Sequence, residues 1–314
     1  MPLNIPVIDI SAGPDHPEVI AQLGQACEQW GFFHLQGHGV APALRRELFQ
    51  GMEAFFALPT AAKRALSRDD RNFWGYYDRE LTKNKVDRKE IYDIDGNLDN
   101  FDTHPGQTGT LQVPWPETLP ALRPLVERWL QACESLSQSL LGGICTALGA
   151  SPESLNPFFL KDHSSFLRFN YYPSAAAQAH GPDDLGIHPH TDAGALTVLV
   201  QDTVTGLQVR KDSTWHTVEP LPDSFIINIG DMLQVWSNDR FVAPEHRVLA
   251  SGAQPRFSAP YFYNPSYETI CAPLISKGTA SRYRPIRWGE FRFGRAAGDY
   301  ADHGEEIQIS HYRV

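Results

Sequence analysis

Apolar residues recur along the first half of the chain with the three- and four-residue spacing of amphipathic helices. Such a stripe runs through residues 17–29, through 41–56 and, at its longest, through 120–148. It predicts three helices that each bury one face. Short apolar runs at 5–10 and 31–35 instead predict strands. We therefore expect the helices to pack against a sheet.

The pattern changes near residue 165. From there to about residue 264 the apolar runs are short and are separated by turns such as Pro222-Asp223. Many short, closely spaced strands are typical of a sandwich or jelly roll, whereas a parallel sheet would alternate strands with helices. The prediction is a mainly β protein with flanking α-helices. We expect one catalytic domain with three parts, namely an N-terminal α/β supporting region (1–164), a β core (165–264) and a C-terminal covering segment (265–314).

The stretch between about Arg68 and Asp99 has a different character. It is rich in aromatic and charged residues, as in Phe73-Trp74-Gly75-Tyr76-Tyr77, and follows neither period. We interpret it as a solvated loop with aromatic anchors.

Candidate chemistry begins at His188-Pro189-His190-Thr191-Asp192, directly before a β-prone run. Residues two apart on a strand share a face, so His190 and Asp192 can point into one cavity. Imidazole and carboxylate together suit a non-haem Fe(II) with open coordination positions. A His-x-Asp pair also recurs by chance, and a hydrogen-bonded surface pair is the alternative. His246, in a later β-prone segment, would complete a 2-His-1-carboxylate triad.

His188 competes for the place of a ligand because it has the same parity as His190 and Asp192. However, Pro189 interrupts strict alternation, and a fourth protein ligand would occupy a position needed by a cosubstrate or oxygen. We therefore predict that His188 lies beside the metal site, or at its entrance, without binding the metal.

Two further pairs of polar residues have the same two-residue offset. Arg256 and Ser258 set a guanidinium and a hydroxyl on one strand face, which suits a bidentate grip on a carboxylate with a third hydrogen bond from serine. Asn170 and Tyr172 likewise share a face. Buried polar groups without partners cost about 1–3 kcal/mol each. Three inward polar pairs therefore predict a pocket, not a core.

These motifs, in this order, resemble those of the 2-oxoglutarate and Fe(II)-dependent oxygenases of the isopenicillin N synthase-like group. The resemblance covers nearly the whole chain, and its further matches are Ile5-Pro6-Val7-Ile8-Asp9, Trp30-Gly31-Phe32-Phe33, Gly37-His38-Gly39-Val40, Asn228-Ile229-Gly230-Asp231 and Trp236-Ser237-Asn238. It implies a double-stranded β-helix (jelly-roll) core with Fe(II) at its mouth. The implied metal ligands are His190, Asp192 and His246.

The resemblance also implies roles around the cosubstrate. Arg256 and Ser258 would bind the distal carboxylate of 2-oxoglutarate, Tyr172 would hydrogen-bond the same end, and Asn170 would hydrogen-bond the chelating end. Ascorbate is an optional reductant. In this family the N-terminal region helps to cover the barrel mouth, which makes three aromatic residues candidate substrate neighbours, namely Tyr76, Tyr77 and Tyr92.

The implied reaction is the oxidation of an unactivated C–H bond of a small molecule, with release of succinate and CO₂. Hydroxylation, desaturation, ring closure and demethylation begin with the same hydrogen abstraction, so the sequence does not choose among them. Some relatives, including isopenicillin N synthase itself, use the Arg-x-Ser pair for the substrate's own carboxylate and need no 2-oxoglutarate. Asn170 and Tyr172 favour the cosubstrate interpretation. A catalytically silent barrel binding protein is the alternative from another class, and the intact ligands argue against it.

Composition changes the picture only for partners and compartment. The formal net charge of -10, without a basic stripe, argues against nucleic acid as a partner. We find no apolar run long enough to span a bilayer, so a small-molecule substrate and O₂ are the expected partners. The four cysteines are far apart, which predicts buried free thiols and, together with Fe(II), a cytoplasmic protein. Arg79, Arg88 and the arginines between 282 and 295 leave a carboxylate-bearing substrate open, although exposed arginines are usually solvated.

Overall fold

The computed structural model describes residues 5–69, 72–96, 112–160, 163–174, 185–250, 252–274, 279–298 and 304–314. The strands within these ranges are β1 (Val7–Asp9), β2 (Phe32–Gln36), β3 (Gly75–Tyr77), β4 (Leu81–Thr82), β5 (Lys85–Val86), β6 (Glu90–Asp95), β7 (Phe166–Tyr172), β8 (Leu185–His190), β9 (Leu196–Gln201), β10 (Leu207–Lys211), β11 (Thr214–Thr217), β12 (Phe225–Ile229), β13 (His246–Leu249), β14 (Arg256–Tyr263), β15 (Ile270–Cys271) and β16 (Ile286–Arg287). The α-helices are α1 (Pro17–Gln29), α2 (Pro42–Phe56), α3 (Thr60–Arg64), α4 (Leu122–Leu148), α5 (Asp231–Trp236) and α6 (Trp288–Gly298). Three of them, α1, α2 and α4, are the helices that the periodicity predicts.

Two sheets form the β core. The large sheet has the strand order β1-β2-β12-β9-β14-β7-β6-β3, and the small sheet has the order β11-β10-β13-β8. The strands of the small sheet and the core strands of the large sheet pair antiparallel, whereas β1 pairs with β2 in parallel. Residues from both sheets line one cavity, so the sheets face each other as in a jelly roll.

Helices α1, α2 and α4 pack together on the outer face of the large sheet. Helix α4 contacts α1, α2, β9 and β14. Its Trp129 is fully buried and lies against Phe225 of β12, with the ring centroids 5.7 Å apart. Burial of one large apolar side chain contributes about 1.5–3 kcal/mol. Because this outer face holds the apolar core, the opposite face of the sheet is left to form the cavity.

The expectation of a solvated loop between about residues 68 and 99 is wrong for the part that the structure describes. Strands β3 and β6 join the large sheet, and β6 pairs with β7 in the register Ile91 to Asn170 and Asp93 to Arg168. All of β6 after Glu90 is buried. Its charged residues misled the sequence interpretation because they form ion pairs inside the protein instead of meeting solvent. Residues 97–99 lie outside the described residues.

The N-terminal supporting region and the β core therefore share one sheet. Strands β1, β2, β3 and β6 come from residues 1–164, and the remaining four strands of the large sheet come from residues 165–264. The sequence pattern thus changes near residue 165, but the large sheet continues across this boundary. None of the helices in the described part of the chain is long and apolar enough to cross a membrane.

Candidate active site

A cavity lies between the inner faces of the two sheets, and it contains all the residues predicted to bind metal and cosubstrate. These residues are His190, Asp192, His246, Asn170, Tyr172, Arg256 and Ser258. The strand register explains part of this convergence. Strands β14 and β7 pair Arg256 with Tyr172 and Ser258 with Asn170, so the two polar pairs lie side by side on one face.

His190, Asp192 and His246, called the metal triad below, converge at one end of the small sheet. His190 ends β8 and His246 begins β13, and the register places them opposite each other. Asp192 Oδ1 lies 3.7 Å from His190 Nε2 and 3.6 Å from His246 Nε2. One ligand atom from each residue falls within 4.8 Å of the others. Two imidazole nitrogens and a carboxylate oxygen in this arrangement fit a facial Fe(II) site.

Backbone carbonyls orient both imidazoles of the metal triad. His190 Nδ1 donates to the carbonyl of His188 at 2.8 Å, and His246 Nδ1 donates to the carbonyl of Pro244 at 3.1 Å. A proton on each Nδ1 leaves the lone pair of each Nε2 for a metal. Burial, reinforced by the neighbouring His246, lowers the pKa of His190, so that the ring is neutral at physiological pH.

The carboxylate of Asp192 is also held in one orientation. Its Oδ2 accepts hydrogen bonds from Thr197 Oγ1 at 2.6 Å and from Asn228 Nδ2 at 2.7 Å, because β9 and β12 pair these two residues. Oδ1 is thereby turned toward the imidazoles. Burial by itself raises the pKa of Asp192, but His246, His190 and the two hydrogen bonds outweigh it, and the pKa lies below its ordinary value.

His188 lies behind the metal triad. Its side chain is buried, and Nδ1 lies 3.0 Å from Asp87 Oδ1, which also accepts a hydrogen bond from the backbone N–H of His188. The metal-binding cluster found in the described residues does not include it. His188 contributes its carbonyl to His190, and this placement agrees with a residue that lies beside the metal without binding it.

Arg256 forms the opposite end of the cavity and is only 1% exposed. Its Nε donates to the carbonyl of Val204 at 3.1 Å, its Nη2 donates to Gln201 Oε1 at 2.8 Å, and its Cζ lies 5.0 Å from the ring centre of Tyr172. Nη1 has no hydrogen-bond partner, and no ion pair within 4 Å joins this guanidinium to a carboxylate among the described residues, although Arg256 acts electrostatically on the nearby Asp202 carboxylate. Asn170 donates to Ser258 Oγ at 3.4 Å, and its buried Oδ1 is also without a partner. These polar atoms fit a polar, anionic ligand.

A buried ionic network, which the sequence interpretation missed, lines the cavity beyond the metal triad. Arg168 binds Asp93 through Nε at 2.6 Å and Nη2 at 2.8 Å, and it contacts Glu80 at 2.9 Å. Lys89 lies 2.6 Å from Glu80 and 3.3 Å from Asp87. Burial raises the pKa of Glu80, but Arg168, Lys89 and Arg68 outweigh it and hold it well below its ordinary value. Burial lowers the pKa of Lys89, but Glu80 and Asp87 raise it above normal. One signal was available, since Arg168 has the strand parity of Asn170 and Tyr172.

The three tyrosines predicted as substrate neighbours do not line this cavity. Tyr92 is fully buried, its ring packs against Phe55, and its hydroxyl donates to the carbonyl of Pro114. Tyr76 is 1% exposed, and its hydroxyl donates to Glu90. The guanidinium of Arg68 covers the ring of Tyr77. The structure gives this prediction no support, because β3 and β6 are strands of the sheet. Tyr76 and Tyr92 pack into its interior, and Tyr77 is half-buried outside the cavity.

The comparison with known proteins agrees with this geometry. Residues 163–265 match the family model of the 2OG-Fe(II) oxygenase superfamily, and residues 5–118 match that of the N-terminal region of non-haem dioxygenases in morphine synthesis. The chain is 32% identical to jasmonate-induced oxygenase 2 of Arabidopsis thaliana, over 98% of this chain and 83% of that protein. The chain belongs to the 2OG-Fe(II) oxygenase superfamily. It is also 32% identical to homoarginine-6-hydroxylase 2-ODD-C23 of Glycine max, over 95% of this chain and 98% of that protein.

Solved structures of this superfamily have the same fold. The crystal structure of JOX2 in complex with 2OG, Fe and JA is 31% identical to this chain, covers 93% of it and 84% of JOX2, and superposes with a TM-score of 0.79. The dioxygenase for auxin oxidation in rice is 28% identical to this chain and superposes with a TM-score of 0.75, over 99% of this chain and 100% of the rice protein.

The predicted double-stranded β-helix core is therefore confirmed. The protein is an Fe(II)- and 2-oxoglutarate-dependent oxygenase, and iron and 2-oxoglutarate are its cofactors. The assembled metal triad disfavours the catalytically silent barrel. The oxidase that needs no 2-oxoglutarate shares this superfamily, and it is disfavoured instead by relatives that are named for oxoglutarate or were solved with 2OG bound.

Proposed function

We propose that the metal triad binds Fe(II), that Arg256 and Ser258 bind the distal carboxylate of 2-oxoglutarate, and that the protein hydroxylates a C–H bond of a small molecule. The observation that carries this proposal is the buried guanidinium of Arg256 with its unpaired Nη1. Burying a charge without a directly paired counter-ion costs several kcal/mol. An anionic cosubstrate supplies the missing partner, and 2-oxoglutarate is the anion that this superfamily uses.

Each residue of the site has a defined task in this proposal. Asn170 Oδ1 and Nδ2 orient the chelating end of the cosubstrate. The ring of Tyr172 packs against the Arg256 guanidinium and keeps it in place. The hydroxyl of Tyr172 is proposed to reach the distal carboxylate. Thr197 and Asn228 hold Asp192 so that a single oxygen faces the metal. When bound, Fe(II) and 2-oxoglutarate supply the oxidising chemistry that consumes O₂ and releases succinate and CO₂. Ascorbate remains an optional reductant.

The proposed substrate is a small molecule, and we do not propose nucleic acid as a partner. The cavity lies between two sheets, and a net charge of -10 argues against binding of a phosphate backbone. Desaturation remains the alternative outcome to hydroxylation. The four cysteines are buried and free, which together with Fe(II) supports our proposal of a reducing, cytoplasmic location.

Anaerobic loading with Fe(II) tests this function, followed by measurement of oxygen consumption and succinate with and without 2-oxoglutarate. A panel of small metabolites is added in turn to find compounds that stimulate succinate release. We expect succinate formation that requires both Fe(II) and 2-oxoglutarate and increases with the substrate. Oxygen consumption that is independent of 2-oxoglutarate would indicate an oxidase of the isopenicillin N synthase type, and failure to bind Fe(II) would indicate a silent barrel.

A further inference from the structure

The described part of the chain places five cationic side chains around the cavity, and four of them have an assigned counter-charge. These four are Arg168 with Asp93 and Glu80, Lys89 with Glu80 and Asp87, Arg295 with Asp231 and Glu306, and Arg256 with the proposed cosubstrate. The fifth is Arg292 on α6.

Arg292 has neither a hydrogen bond nor an ion pair with any residue that the structure describes. It is half-buried, and its guanidinium carbon lies 5.3 Å from the ring centre of Phe166. The ring of Phe166 in turn stacks on Phe262 at 4.5 Å. Stacking on an aromatic face occupies the plane of a guanidinium and leaves its N–H edge available for a ligand. An arginine held in this way inside a cavity differs from one solvated at the surface.

Helix α6 places Arg292 near the metal side of the cavity. Residues three apart on a helix share a face, and Arg295, three residues further along, donates to the carbonyl of Thr191 at 2.8 Å, between the metal ligands His190 and Asp192. Phe262 stacks on Phe166, the ring that Arg292 contacts. Along β14, Phe262 is six residues from Arg256, which is a distance of about 20 Å along a strand. Arg292 and Arg256 therefore cannot bind the same carboxylate of one cosubstrate molecule.

We propose that Arg292 binds an anionic group of the substrate, and that the substrate is therefore a carboxylate with an apolar body. The N–H edge of Arg292 would bind the carboxylate, and Phe166 and Phe262 would pack against the apolar body. This inference rests on the proposed function, because it assigns the second ligand of a cavity whose first ligand is 2-oxoglutarate. It makes Arg292 a specificity-determining residue that takes no part in binding iron or cosubstrate.

Binding of acid and amide pairs to the Fe(II)- and 2-oxoglutarate-loaded protein under anaerobic conditions tests this proposal. The probes are phenylacetate, cyclohexylacetate and octanoate, each beside its neutral primary amide, and binding is measured by calorimetric titration. Wild type is compared with Arg292→Gln, Arg292→Lys and the control Arg287→Gln, which changes an exposed arginine just before α6. The affinity for 2-oxoglutarate and the melting temperature are measured on every preparation.

We expect at least one acid to bind wild type with clear preference over its amide. Because hydrogen bonds to charged groups contribute about 1.5–3 kcal/mol, Arg292→Gln should weaken acid binding by about ten- to hundredfold and leave amide binding unchanged. Arg292→Lys should be intermediate, and Arg287→Gln should resemble wild type. Equal binding of acid and amide, unchanged acid binding in Arg292→Gln, or no acid binding at millimolar concentration would overturn the proposal.

The parallel measurement of 2-oxoglutarate separates the two levels of inference. If wild type binds neither Fe(II) nor 2-oxoglutarate, the proposed function fails whatever the acids do. If wild type binds both and Arg292→Gln weakens 2-oxoglutarate binding as well, Arg292 serves the cosubstrate and the substrate assignment is refuted. Unchanged 2-oxoglutarate affinity together with weakened acid binding supports both.

Discussion

Replacing Arg256 by lysine keeps the positive charge but removes a planar fork whose three nitrogens have different tasks. Nε binds the carbonyl of Val204, Nη2 binds Gln201, and Nη1 is buried without a hydrogen-bond partner. The single ammonium group of lysine has to serve Gln201 and the cosubstrate from one atom, and it loses the planar contact with the ring of Tyr172. We therefore expect a defect in 2-oxoglutarate binding and none in iron binding.

The size of the defect follows from the hydrogen bonds that are lost. A hydrogen bond to a charged group contributes about 1.5–3 kcal/mol. The charge that lysine retains offsets part of the loss of the two hydrogen bonds from arginine to the carboxylate. The net loss of one such bond corresponds to a Michaelis constant for 2-oxoglutarate that is about ten- to hundredfold higher. Ser258→Ala removes a single neutral donor to the same carboxylate. We expect a loss at the lower end of that range, about 1.5 kcal/mol, which corresponds to an increase of about tenfold.

The assay combines succinate formation over a range of 2-oxoglutarate concentrations with anaerobic titration of 2-oxoglutarate into the Fe(II) protein. Iron content and melting temperature are determined on the same Arg256→Lys preparation, with Arg287→Gln as the surface control. If Arg256 only stabilises the barrel wall through Gln201 and Val204, the melting temperature falls and saturation stays normal. A normal saturation curve would refute the cosubstrate assignment.

The remaining predictions concern the metal triad, its support and one buried histidine. Alanine at any triad position should abolish Fe(II) binding with the melting temperature retained, whereas His188→Ala should keep the iron, and metal analysis decides both. Asn228→Leu removes one of the two donors to Asp192 Oδ2 and should weaken Fe(II) binding by about 10- to 100-fold in a chelator competition, and unchanged affinity would contradict the orienting role. Burial lowers the pKa of His34 to about 4, whereas the pKa of this histidine in the unfolded chain is 6.5. Between these two values the unfolded chain binds a proton that the folded protein does not. Stability should therefore fall with acidification through that window, by about 2 kcal/mol from about pH 7 to about pH 5, and urea unfolding of His34→Leu should have a correspondingly smaller pH dependence.

Local periodicity was sufficient to recognise several elements and the chemistry of each strand. The helical stripes predicted α1, α2 and α4, because a helix that packs on a sheet must repeat apolar residues every three to four positions. The two-residue offsets predicted which polar residues share a face, since parity along a strand depends on the chain alone. Resemblance of the ordered motifs to a known family then indicated the fold and the cofactors.

The sequence could not decide which strands meet. His190 and His246 are opposite each other because β8 and β13 pair in one register, and Thr197 and Asn228 reach Asp192 together because β9 and β12 do. Registers between segments far apart in sequence are set by packing of the whole core, which no local pattern contains.

The tertiary structure also decided which side of each strand faces the cavity. Parity groups residues into two faces but does not identify the inner one. The resemblance to the family, and not parity, suggested Tyr76, Tyr77 and Tyr92 as substrate neighbours, and none of the three lines the cavity. The charges of Glu80, Lys89 and Asp93 indicated solvent, yet their partners come from β7 and from one another, and only the assembled barrel brings these groups close enough to be buried together.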